Sequence, residues 1–171
     1  MTELTPFKLT PLGLVHTLVS LVCVMLAVAA VVVDRRIDPG SSLGFWYLVT
    51  LWVTTLTGFP IFRSGKITPP HVLGWLTVVV LVVAAIAGGS SLFGRVSPYV
   101  ATIAYSSTVL LLLIATVTET LTRVPPGAPW VASPDAPILR AIYSVLLVLF
   151  LIAATLQVRG LRAAESLAAG G

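Results

Sequence analysis

Charge is what this chain has least of. Ten lysines and arginines and six aspartates and glutamates make up 9% of 171 residues, too little polar surface to cover a water-soluble fold of this size. That scarcity argues against a soluble enzyme. The net charge of +4 is spread through short connections, with no basic tract to neutralise a run of phosphates, so no nucleic-acid partner is expected. Cysteine is nearly absent as well. Cys23 stands alone, which rules out an intrachain disulfide and any CxxC redox or metal pair. Only two histidines occur, and the chain carries no HExxH, GxSxG or GxxxxGK(S/T) pattern, so zinc-protease, nucleophile-elbow and phosphate-loop chemistry have no motif here.

What fills the chain instead is hydrocarbon. Hydrophobic residues make up 57% and mean hydropathy is +1.05, gathered into five long apolar runs at 12–33, 43–62, 70–87, 98–121 and 138–158. About 20 helical residues at 1.5 Å each cross roughly 30 Å of bilayer core, so each run reads as a membrane-spanning helix. The first is too long for the core of a signal peptide, and Lys8 is the only basic residue before it. Phe45, Trp46 and Tyr47 suit an interfacial belt at the start of the second run, while Gly58 and Pro60 bend or stop its far end. Glycine, serine and proline mark the connections, of which 123–137, RVPPGAPWVASPDAP, is the longest, and Trp130 is placed there as an interfacial anchor. The expected fold is all-α: one integral membrane helical bundle of five transmembrane helices over 1–171, without a soluble domain, internal repeat or coiled-coil heptad. A four-span alternative makes the fourth or fifth run re-entrant.

Five crossings put Lys8, Arg63, Lys66, Arg123 and Arg140 on one side, and Arg35, Arg36, Arg95, Arg159 and Arg162 on the other. Five against five gives no positive-inside bias, so orientation stays open.

The same alternation places the two histidines together. His16 and His71 sit near the starts of the first and third runs, and Arg63 and Glu119 near the ends of the second and fourth, so all four reach the same side at shallow depth. Imidazole ligates metals and haem iron and exchanges protons near neutral pH, and a carboxylate ligates a cation or orients an imidazole. His16 and His71 are therefore candidate ligands of haem or another metal, and Arg63 is a candidate contact for an anionic headgroup or a quinone carbonyl. The bland alternatives are concrete. Each histidine serves equally as a polar residue bonded across helices or to interfacial water, Arg63 as an interfacial anchor, and Glu119 as half of an i,i+4 ion pair with Arg123. Thr50, Thr54, Thr55 and Thr57 form a polar strip in the second run, and Tyr105, Ser106, Ser107 and Thr108 cluster in the fourth. Such hydroxyls usually bond back to their own helix or across to a neighbour.

At Phe62 to Thr77, FRSGKITPPHVLGWLT, with Arg63, Gly65, Pro70, His71, Leu73 and Thr77, and again at Thr116 to Gly127, TVTETLTRVPPG, the chain resembles a poorly characterised family of small bacterial polytopic membrane proteins. The resemblance implies a compact helical membrane domain and supplies no cofactor. The expected role is that of an integral accessory or ligand-binding protein, multi-pass in a bacterial cell membrane. Its expected partners are membrane lipids and a second copy or another integral subunit. A quinone- or haem-linked redox protein and a small proton-coupled transporter using Glu119 are the alternatives.

Overall fold

The computed structural model describes residues 10–61 and 69–170. Five α-helices run through them: α1 Pro11–Val33, α2 Ser42–Gly58, α3 Pro69–Gly89, α4 Ser97–Leu121 and α5 Pro137–Gly170, with a single 3-10 turn at Gly94–Val96 before α4. The chain is all-helical over these residues.

Proline and hydroxyl groups set the starts. Pro11, Pro69, Pro98 and Pro137 all lie in first turns, where the missing amide hydrogen has no intrahelical acceptor to lose. Thr10 caps α1 by accepting from the Gly13 amide at 3.1 Å, and Ser41 caps α2 by accepting from the Gly44 amide at 2.9 Å. Four helices, α1, α3, α4 and α5, are long and apolar enough to cross a membrane. α2 is the short one. Its 17 residues cover about 26 Å, and it ends at Gly58 rather than at 62, because Pro60 cannot continue the backbone ladder. Residues 62–68 lie outside the described part of the chain.

Three more expectations change. The fourth and fifth runs, named as re-entrant in the four-span alternative, are continuous helices each long and apolar enough to cross a membrane, and the helix that falls short of that length is α2. The third helix reaches Gly89, two residues past the expected end at 87. The fifth continues past the expected end at 158, through Arg159 and Arg162, to Gly170, because alanine, leucine, arginine and glutamate in RAAESLAA are all strong helix formers.

Packing defines a ring. α1 lies on α2 and α3 on α4, with lighter contacts of α2 with α3 and of α1 with α4, while α5 leans on α4 from outside. α1 and α3 therefore stand diagonally opposite, without backbone contact among the described residues. Small side chains make the close pairings. Cys23, Ala27 and Ala30 of α1 are fully buried in the same core as Tyr47 and Leu51 of α2, and Leu81, Ala84 and Ala87 of α3 share it with Ala101, Tyr105 and Leu112 of α4. In lipid there is no water to expel, so close approach of backbones through small residues supplies the contact energy. Large apolar side chains such as Leu18, Leu21, Met25, Val79, Val148 and Ile152 point outward, as a lipid-solvated surface requires.

Candidate functional site

Hydroxyl, amide and imidazole groups stitch the ring together, and α4 carries most of the stitches. The fully buried Tyr47 reaches from α2 across to α4, its hydroxyl 2.8 Å from Thr108 Oγ1. Thr108 donates to the Tyr105 carbonyl at 2.6 Å, so the Tyr47 hydroxyl is the donor to Thr108. The Tyr143 hydroxyl on α5 lies 2.6 Å from Thr118 Oγ1, and Thr118 also bonds back to Ile114, so the donor role again falls to tyrosine. Ser106 donates to Gln157 Oε1 at 2.7 Å, and Gln157 Nε2 donates to the Arg35 carbonyl at 3.0 Å. That one amide joins α4, α5 and the α1–α2 connection.

The connection itself is tightly folded. Arg35 has φ 63°, in the left-handed region that L side chains avoid, and Ile37 tucks into the core. Asp38 accepts from Arg36 Nη2 at 2.8 Å and from the Gly40 amide at 2.9 Å. These hydrogen bonds, Arg36 first, hold the Asp38 carboxyl below its ordinary range. Gly44 lies so close beneath that a Cβ there would stand 1.9 Å from the Asp38 carbonyl oxygen.

At the other end of the bundle sit the residues singled out from the sequence. His16, in the second turn of α1, is half-buried with Nδ1 3.0 Å from Thr57 Oγ1. Its ring lies over Gly58, where a Cβ would come within 3.2 Å of His16 Cε1. Glycine at the end of α2 thus makes the seat for the imidazole. Arg123, just past the end of α4, forms an ion pair with Glu119 one turn back. His71 is buried at the start of α3, one turn before Trp75, whose ring meets that of Phe59 at a 38° tilt with centres 4.7 Å apart. Arg63 lies outside the described residues.

The structure therefore joins His16 to α2 and leaves the Arg123–Glu119 pair at the end of α4, on the same end of the bundle, while His71 stands on the helix diagonal to α1. Among the described residues no three histidine, cysteine, aspartate or glutamate side chains converge as metal ligands.

Sequence reasoning missed Gln157, Tyr143 and the Tyr47 hydroxyl. The signal for Gln157 was available: a lone amide within an apolar run must find partners, because hydrocarbon offers none. Of the threonine strip, Thr50 and Thr57 bond back to their own helix, and Thr57 also meets His16. Thr54, 8% exposed, keeps a buried hydroxyl with no hydrogen-bond partner among the described residues.

Length, apolar surface and internal polar pairing define an all-helical membrane protein. No protein-family model, no curated protein and no solved structure matches the chain.

Proposed function

We propose that this chain is an integral accessory or ligand-binding protein of a bacterial cell membrane, allied to the small polytopic family that its FRSGKITPPHVLGWLT segment resembles. It holds a lipid-soluble ligand or a partner subunit at the end of the bundle that carries His16, Glu119 and Arg123. One observation carries this reading: the His16 imidazole is fixed in place by Thr57 and Gly58, in the second turn of a helix long and apolar enough to cross a membrane. Fixing a polar ring against a neighbouring helix at such a position is what a recognition site for an amphiphile's head needs, since the tail lies in hydrocarbon and the head at the boundary. The short connections leave little room for an independent soluble catalytic apparatus, and the small-residue faces favour packing against a second copy or another integral subunit. Membrane lipids and a quinone are the small-molecule partners this chemistry admits.

Native mass spectrometry of gently solubilised protein, with an oxidised and reduced absorption spectrum of the same sample, tests the proposal. A bound amphiphile or partner subunit that is lost in His16→Ala supports it. Robust turnover by purified monomer without a partner overturns it. A stoichiometric Soret band lost in both His16→Ala and His71→Ala replaces it with a haem-linked redox protein.

A further inference from the structure

A histidine ring has two nitrogens, and its neighbours decide which carries the proton. Thr57 has one hydroxyl hydrogen, and the shortest bond of Oγ1 runs back along α2 to the Val53 carbonyl at 2.7 Å, with the Thr54 carbonyl a weaker second acceptor at 3.2 Å. The same oxygen lies 3.0 Å from His16 Nδ1. With its hydrogen committed to the backbone, Thr57 meets Nδ1 as an acceptor. Neutral His16 is therefore protonated on Nδ1, and Nε2 carries the lone pair. Gly58 keeps the ring seated in this orientation.

Nε2 makes no protein hydrogen bond among the described residues and is not one of the enclosed, unpartnered atoms. It is an acceptor open to the membrane boundary, since His16 lies about 8 Å along α1 from its first residue. Leu12, Val15 and Leu18 on the same helix are exposed and offer an apolar path for a tail. The buried hydroxyl of Thr54 adds a second polar group on the helix that holds the ring.

We infer that the His16 end of the bundle binds its amphiphile through a hydroxyl group, which donates to His16 Nε2, and so takes a hydroxyl-bearing head in preference to its carbonyl-bearing counterpart. The inference rests on the ligand-binding reading above and names the ligand's chemistry. A hydroxyl satisfies the Nε2 lone pair, whereas a carbonyl oxygen presents a second lone pair to it. One neutral hydrogen bond gained or lost corresponds to roughly threefold to tenfold in affinity.

Two measurements on the full chain in lipid nanodiscs test it. The nitrogen-15 shifts of His16 should be pyrrole-type at Nδ1 and pyridine-type at Nε2 near neutral pH. Thr57→Val should lose that bias and Thr57→Ser should restore it. In binding titrations a short-chain benzoquinol should bind several-fold more tightly than the matching benzoquinone, a ratio that falls to about one in Thr57→Val and in His16→Ala. If phospholipid with a glycerol headgroup displaces the quinol where phosphatidylethanolamine does not, the hydroxyl comes from a lipid head and the inference stands. If only quinols bind, the source is a quinol and it also stands. A pyrrole-type Nε2, or a quinol that binds no more tightly than the quinone, overturns it. Equal binding of both forms leaves the ligand-binding reading intact; failure of every probe, with nothing co-purifying, removes both.

Discussion

Single atoms decide more in this protein than side-chain chemistry suggests. The added methyl of Gly44→Ala would meet the Asp38 carbonyl oxygen at 1.9 Å, and backbone cannot move aside as a flexible side chain can. Overpacking ordinarily costs about 1–3 kcal/mol, and here the whole turn must shift, so we expect a loss at the upper end of that range in a reversible detergent-unfolding titration. A loss under about 0.5 kcal/mol, the scale of ordinary surface substitutions, would show that the turn does not close on α2 as described. Asp38 gives a pH prediction of definite sign. Its carboxyl is held below the ordinary range by Arg36 and the Gly40 amide, so the charged form favours the folded loop. That stability is present above the unfolded-state value and is lost as pH falls through the lower, folded one. The melting temperature of the parent should therefore exceed that of Asp38→Ala at neutral pH, and the gap should close below about pH 4. A gap that widens on acidification would contradict the assignment.

Among the elements, α5 is the one whose placement depends on polar bonds. It leans on α4 from outside the ring, and its outward face, with Val145, Val148 and Ile152, is exposed. Its fixed points are Tyr143 on Thr118, Gln157 between Ser106 and the Arg35 carbonyl, and Glu165 on Tyr99. Gln157→Leu removes the middle one and leaves a hydroxyl and a carbonyl without their partner. Interhelical hydrogen bonds in bilayers average about 0.6 kcal/mol and reach about 1.7. A double-mutant cycle of Ser106→Ala with Gln157→Leu should therefore give a coupling of about 0.5–1.5 kcal/mol. Additive effects would mean that the two groups do not meet in the membrane.

At the scale of the molecule, the length of α5 has a geometric outcome. Its 34 residues span about 51 Å, roughly 20 Å more than the hydrocarbon core, so its final turns rise beyond the lipid tails. There Arg162 lies 6.0 Å from the Tyr99 ring centre, and Glu165 bonds the Tyr99 hydroxyl, which holds the projecting end against the start of α4. Cys23 is fully buried and should resist a membrane-impermeant maleimide, leaving a silent background for single-cysteine variants. Asp135→Cys, in the α4–α5 connection, and Ala164→Cys, near the end of α5, should then label from opposite faces of sealed vesicles. Labelling of both from one face would show that α5 does not cross.

The helices themselves were legible in the sequence, because in lipid the backbone must satisfy its own hydrogen bonds and an apolar run of sufficient length has few alternatives to a helix. Proline positions at the helix starts, and Gly58 with Pro60 at the end of α2, were legible for the same local reason. The approach of His16 to Thr57 was not, since it joins residues 41 apart and depends on the angular facing of two helices, which hydropathy leaves unspecified when every side is apolar. Nor was the separation of His71 from His16 onto diagonal helices, for a count of crossings gives the side of the membrane but not the neighbour. The five-against-five distribution of basic residues left orientation undetermined by charge. Sequence alone determined that this chain enters a membrane as helices. Only the tertiary structure decided which polar groups meet, because small-residue packing between α1 and α2 and between α3 and α4 sets the rotation of each helix, and that rotation aims every imidazole, amide and hydroxyl.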